Sequence, residues 1–242
     1  MGERDFGARL TRAIAVAAPL ACASIPGLAG AVSATRGAIA SGLGRDQGIF
    51  QYVAWAWSRG EVGYRDVRDV NGPLTPLVHL ALLALGGGDE GRFRALDALV
   101  TGAVFAVTGA LVADAASRGA EWTGPRRVAL AVLGALAGWV VLSAQYLGFI
   151  FWDLAQRETF MDWFLLPALG LTLWALARRD RAASAALVAA GALSAATWLG
   201  KPTYGAFFVL QLAAAAVASG ARRDRAKDAA RLALGAALGF GL

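Results

Sequence analysis

The stretch PLTPLVHLALLALGG, residues 73–87, decides how the rest of the chain is threaded. Its 15 residues make about 22 Å of helix, short of the roughly 30 Å of hydrocarbon in a bilayer. The sequence around it is of membrane type: 57% of the 242 residues are hydrophobic, 17% are charged, and the mean hydropathy is +0.53. That balance excludes an ordinary water-soluble domain. A net charge of +6 on a soluble chain would suggest nucleic acid. Here the Lys and Arg stand in short clusters between apolar runs, a pattern that orients helices in a bilayer, and no nucleic-acid partner is expected. A single cysteine, Cys22, excludes an internal disulfide and a thiolate metal cluster.

Outward from residues 73–87, five later segments approach the roughly 20 apolar residues of a crossing: 93–116, 128–148, 159–177, 182–200 and 203–220. Before them, an apolar run ending at Val32 follows Arg4, Arg9 and Arg12. It is longer than a signal-peptide core and lacks a clear cleavage site, so it reads as a retained first helix. A seventh crossing begins near residue 231 and breaks off at Leu242 after about 12 residues, or roughly 18 Å. The expected fold is all-α: about six complete transmembrane helices and a partial seventh, in one module over 1–242 that is truncated at its C-terminus.

If residues 73–87 do not cross, the basic loops at 117–127, 178–181 and 221–231 fall on the side of the N-terminus. That side then holds 14 of the 23 Lys and Arg. If they do cross, the clusters around Arg178 and Arg222 move to the other side and the bias reverses. The positive-inside rule selects the first arrangement, with a cytoplasmic N-terminus in a bacterial plasma membrane and 73–87 as a half-buried helix in the outer leaflet. The loop 34–92, the loop 149–158 and the turn at Gly200 to Pro202 then share the outer face. Trp152, Trp163 and Trp198 fall near outer helix ends and Trp122 and Trp174 near inner ones, as in an aromatic belt.

The outer loop carries Asp46, Glu61, Asp66 and Asp69. Asp46 stands at an N-cap position, and Ile49, Phe50, Val53, Ala54 and Trp57 follow at helical spacing before Gly60. This predicts a juxtamembrane amphipathic helix on the outer leaflet, its N-terminus favouring an ionised carboxylate.

Three motifs, Asp46-Gln47-Gly48 opening that helix, the segment from Gly60 to Asp66, and Asp69-Val70-Asn71-Gly72-Pro73-Leu74, together resemble the first outer loop of the GT-C superfamily. These are membrane glycosyltransferases that use polyprenyl-phosphate sugars, among them the protein mannosyltransferases and aminoarabinose transferases. Arg157-Glu158-Thr159 resembles the family's second acidic site, and Gly200-Lys201-Pro202 its basic outer turn. The resemblance implies that Asp46 is the general base, taking a proton from the acceptor as it attacks the anomeric carbon. It implies substrate contacts from Tyr64, Arg65, Asp66, Asp69, Glu158 and Lys201, with Lys201 or Arg65 stabilising the departing phosphate. Asp69 and Glu158 would be the ligands of a divalent Mg or Mn ion, used in several family members. The acceptor, whether glycan, lipid or protein, is left open. Two positions depart from the family pattern: Asp46-Gln47 replaces the frequent Asp-Glu, removing one acid, and Asn71-Gly72-Pro73 replaces Lys-Pro-Pro, removing one phosphate contact.

Each residue also has a plainer reading. Asp46 can cap its helix. Asp66 and Asp69 can pair with Arg65 and Arg68 as solvated charges. Glu158 can favour the start of its helix, and Lys201 can reach for lipid headgroups. His79, the one histidine, reads as interfacial packing, and Asp97 as a partner of Arg94 or Arg92. At the level of the whole chain, the competing readings are a transporter or flippase-like permease and an inactive truncated fragment. A permease predicts charged or broken helices at mid-membrane and internal repeats. In the sequence mid-helix charges are nearly absent and no repeat is visible.

Overall fold

The computed structural model of the chain describes residues 26–67, 72–119, 123–148, 154–178, 180–218 and 222–241. Arg4, Arg9, Arg12, Cys22, Arg68, Asp69, Trp122 and Trp152 lie outside the described residues. Within them the chain is all-helical: α1 (26–39), α2 (Arg45–Ser58), α3 (Leu74–Gly86), α4 (Glu90–Gly119), α5 (Gly124–Leu147), α6 (Arg157–Leu176), α7 (Arg181–Gly200), α8 (Gly205–Ala218) and α9 (Arg222–Phe240), with a 3-10 turn at Pro202–Tyr204.

Four segments are long and apolar enough to cross a membrane: Glu90–Arg118, Gly124–Val141, Arg157–Leu176 and Arg181–Gly200. Several apolar helices of this kind are compatible with a multi-pass membrane protein. The expected six complete crossings therefore reduce to four among the described residues. Most of the first apolar run lies outside them, and the run Pro202–Ala218 is shorter than a span.

Two boundaries differ from expectation. The helix expected to end at Val32 continues to residue 39, because no breaker intervenes and Thr35 Oγ1 donates back to the Ala31 carbonyl at 2.7 Å. The helix expected from 231 begins at Arg222. Its polar first half is helical because Ala and charged residues at spacings of three and four support the turn, as in the Arg231–Asp228 pair at 2.8 Å.

The helix α3 has 13 residues, or about 20 Å, and cannot by itself cover the hydrocarbon. It starts behind Pro73 and stops at Gly87, whose left-handed φ of 64° lets its N–H bond back to the Leu83 carbonyl. One face of α3 buries Leu74, Val78 and Leu82 with Phe93 of α4 and Phe160 and Met161 of α6. His79 is sealed among them, stacked on Phe93 at 5.1 Å, edge-on to Phe160 at 5.2 Å and tilted on Phe50 of α2 at 5.6 Å. Neither ring nitrogen has a hydrogen-bond partner among the described residues. Burial, reinforced by the nearby Arg94 charge, pushes the imidazole pKa down from 6.5 to about 3. An imidazole that stays neutral when folded but binds a proton when unfolded makes stability fall as pH drops from 6.5 toward 3. A His79→Leu variant should therefore lack about 1.4 kcal/mol per pH unit of that decline. Unfolding titrations at pH 7 and 5.5 check this, and equal slopes for the two proteins would refute it.

The bundle is held by close backbone approach and by polar contacts between helices. Gly109 of α4 faces α5 so tightly that a Cβ there would meet the Gly134 carbonyl oxygen at 2.1 Å. Small residues at such crossings replace hydrophobic drive with dispersion. Between α6, α7 and α8, Ser194 Oγ donates to Gln211 Oε1 at 2.6 Å, and Gln211 Nε2 donates to Thr172 Oγ1 at 3.0 Å, all three buried. This network satisfies its own polar groups and acts as packing.

Candidate functional site

At the end of the bundle where α3 lies, three separated segments meet around the start of α6. Gln156 adopts an extended conformation before α6, and Glu158 falls in its first turn, where the helix dipole favours a carboxylate. Arg157 Nε donates to Glu158 Oε1 at 2.7 Å, and the Lys201 ammonium lies 3.6 Å from the same oxygen. Lys201 reaches this position because it ends α7 in an extended conformation, after which the chain turns through Pro202–Tyr204. All three side chains are well exposed, so the pairs add little stability. Their significance is geometric.

Gly72 locks the third segment on. Its N–H donates to the Gly200 carbonyl at 3.3 Å, and a Cβ at this position would stand 1.9 Å from the Leu199 carbonyl oxygen. Only glycine allows this contact, which sets the Gly72-Pro73 turn against the residue preceding Lys201. Gly200 in turn presses on Met161 of α6 and Leu74 of α3.

Asp46 is exposed in the first turn of α2. It is not the N-cap: Gly44 holds that place, with extended φ and ψ of −77° and 176°. The helix starts two residues earlier than the spacing suggests, so the carboxylate sits inside the dipole's reach without capping. The buried face of α2 is Gln47, Phe50, Val53, Ala54 and Ala56. Ile49, expected on that face, is exposed in one stripe with Tyr52 and Trp55. Gln47, beside Asp46, donates through Nε2 to the Leu154 carbonyl and so ties the start of α2 to the turn before α6.

The Tyr64 to Asp66 group forms a separate turn. Tyr64 has a left-handed φ of 66° and packs edge-on to Trp57 at 6.4 Å. Trp57 is 11 residues from Asp46, about 16 Å along the α2 axis. Arg65 grips Asp66 with two nitrogens at 2.8 and 2.7 Å, and Asp66 also accepts from the Val62 N–H at 2.8 Å. The guanidinium first and that N–H second hold the Asp66 carboxyl below the usual range. These contacts are local to the turn and do not join it to Glu158 and Lys201.

Asp162 belongs to the cluster and was not singled out from the sequence. It lies one turn beyond Glu158 on α6, within the field of that carboxylate, and both act on Tyr204 across the turn after α7. The signal was available: an ionisable residue inside an apolar helix is a site candidate by default. Among the described residues, no three His, Cys, Asp or Glu side chains are grouped to hold a metal ion. Of the two expected metal ligands, Asp69 lies outside the described residues, and Glu158 is paired with Arg157 and Lys201. No known family, curated protein or solved structure matches the chain. The functional reading therefore rests on the residues themselves.

Proposed function

We propose that this chain is an integral membrane glycosyltransferase of the GT-C type, moving a sugar from a polyprenyl-phosphate donor to an acceptor on the outer face of the cell membrane. The observation that carries the reading is the meeting of Lys201 and Glu158 beside the Gly72–Gly200 contact. It supports a single site built from motifs that the sequence spreads over about 130 residues. In this reading the chain makes six crossings and a partial seventh, with a cytoplasmic N-terminus and α3 in the outer leaflet.

The chemistry follows from charge. Asp46, as carboxylate, accepts the proton of the acceptor hydroxyl as its oxygen bonds to the anomeric carbon. The bond from that carbon to the phosphate oxygen breaks, and the phosphate leaves with an added negative charge. Lys201 and Arg157 supply the positive field for it, while Glu158 and Asp162 orient the two cations and the sugar hydroxyls. No step is routed through a metal.

Purified protein in lipid nanodiscs, supplied with a synthetic polyprenyl-phosphate sugar and either water or a glycan acceptor, tests the reading. Release of polyprenyl phosphate is the expected result. Lys201→Met should lower kcat/KM for the donor by about 10²-fold, the size of one charge-stabilising contact. A folded wild-type protein that releases no phosphate from any such donor sinks the proposal.

A further inference from the structure

The turn that carries Glu158 and the segment that leads to Asp46 are both tied to one buried turn of α4. On that turn Arg94 is 1% exposed and Asp97, three residues on, is 2% exposed, close enough to interact electrostatically. Arg94 Nη2 donates to the Gly42 carbonyl at 3.0 Å, and one turn earlier Glu90 Oε2 accepts from the Leu43 N–H at 3.3 Å. Both contacts fall just before the N-cap of α2. From Asp97 two relays run to α6. In the first, the Tyr146 hydroxyl of α5 donates to Asp97 Oδ2 at 2.5 Å and accepts from the Ala155 N–H at 2.8 Å. In the second, Thr101 Oγ1 donates to Asp97 Oδ1 at 3.4 Å and accepts from Trp163 Nε1 at 2.8 Å.

Ala155 is the residue that needs holding. It is fully buried and has a φ of 54°, a left-handed conformation that costs a non-glycine residue energy and persists only where surroundings enforce it. Tyr146 supplies the partner of its N–H, and Gln47 takes the carbonyl just before it. Two residues later the chain enters α6 with Arg157 and Glu158. A buried carboxylate that accepts from two hydroxyls, each receiving an N–H from α6 or its approach, is more polar investment than packing requires.

We propose that Asp97 and Tyr146 are positioning residues, which fix the Ala155 turn and thereby set Glu158 in register with Asp46. The inference rests on the transferase reading for its catalytic consequence but not for its structural one. Tyr146→Phe removes the hydroxyl and keeps the ring that packs edge-on to Phe105 at 6.4 Å, so the fold survives the test. In full-length protein in nanodiscs, amide exchange in residues 154–158 should accelerate about tenfold, the weight of one hydrogen bond lost from a buried turn, while α7 and α9 stay at the wild-type rate. Turnover should fall about tenfold through kcat, with donor KM within about twofold, because misplacement rather than lost binding is at issue. Asp97→Asn keeps an acceptor for Tyr146 and should restore slow exchange relative to Asp97→Ala. Unchanged exchange at 154–158 in folded Tyr146→Phe overturns the proposal, and so does faster exchange with unchanged kcat. A wild-type protein without transferase activity counts against the functional reading alone, since the exchange experiment decides the tie by itself.

Discussion

Asp46→Asn should lower sugar transfer by about 10²- to 10⁴-fold, the range that a positioned general base contributes. The substitution keeps size and shape and removes only the ability to take a proton. Asp46 is exposed in the first turn of α2 and makes no side-chain cap, so little else should change. Loss of a charge from that turn costs about 0.3–1 kcal/mol. Thermal unfolding should thus stay close to wild type while transfer collapses, and donor KM should hold because the base contributes in the transition state. Turnover of a well-folded Asp46→Asn protein within threefold of wild type would remove Asp46 from the chemistry. Glu158→Gln then becomes the next variant, since Glu158 is the acid paired with Arg157 and Lys201 at the start of α6.

Arg94→Met should cost about 3–5 kcal/mol of stability, the penalty for leaving a buried charge without its partner. Arg94 and Asp97 are both almost fully buried, so neither can turn to solvent. Methionine fills much of the volume, which confines the loss to charge and to the bond with the Gly42 carbonyl. Adding Asp97→Asn should recover much of the loss, because the double variant buries no net charge. Unfolding by SDS titration measures both numbers. A single variant within 1 kcal/mol of wild type, or a double variant no better than the single, would contradict the account.

Helix positions were readable from apolar runs because a crossing imposes its own length. The runs at 93–116, 159–177 and 182–200 correspond to Glu90–Gly119, Arg157–Leu176 and Arg181–Gly200. The shortness of α3 was equally plain. Errors arose where a helix outran its apolar part, as at residues 33–39 and in the charged first half of α9, since polarity does not stop a helix that has no breaker. The cap at α2 was misplaced by two residues because Gly44 and Asp46 are both competent N-caps and only backbone geometry separates them.

For the site, local motifs flagged Glu158 and Lys201, yet nothing local joins positions 43 residues apart. Tyr146 and Asp97 are separated by 49 residues, and Trp163 and Thr101 by 62. A sequence shows such partners only as an isolated Tyr, Thr or Asp in apolar runs. Tyr64, Arg65 and Asp66 had the opposite fate. The resemblance implied substrate contacts from them, and the structure adds that Arg65 and Asp66 are bonded to each other within a local turn.

The bond from Gln47 to the Leu154 carbonyl joins residues 107 positions apart. On a ribosome adding about 5–20 residues per second, α2 emerges roughly 5–20 s before the turn it must grip. During that interval α2 has α3 to pack on but lacks the Gln47 bond, and His79 has Phe50 and Phe93 but not Phe160. Completion of this end of the protein is therefore a late event in biosynthesis. Substitutions in the Leu154–Ala155 turn should lengthen that stage, an expectation that a lower amount of protein in cells, measured against wild type, would bear out.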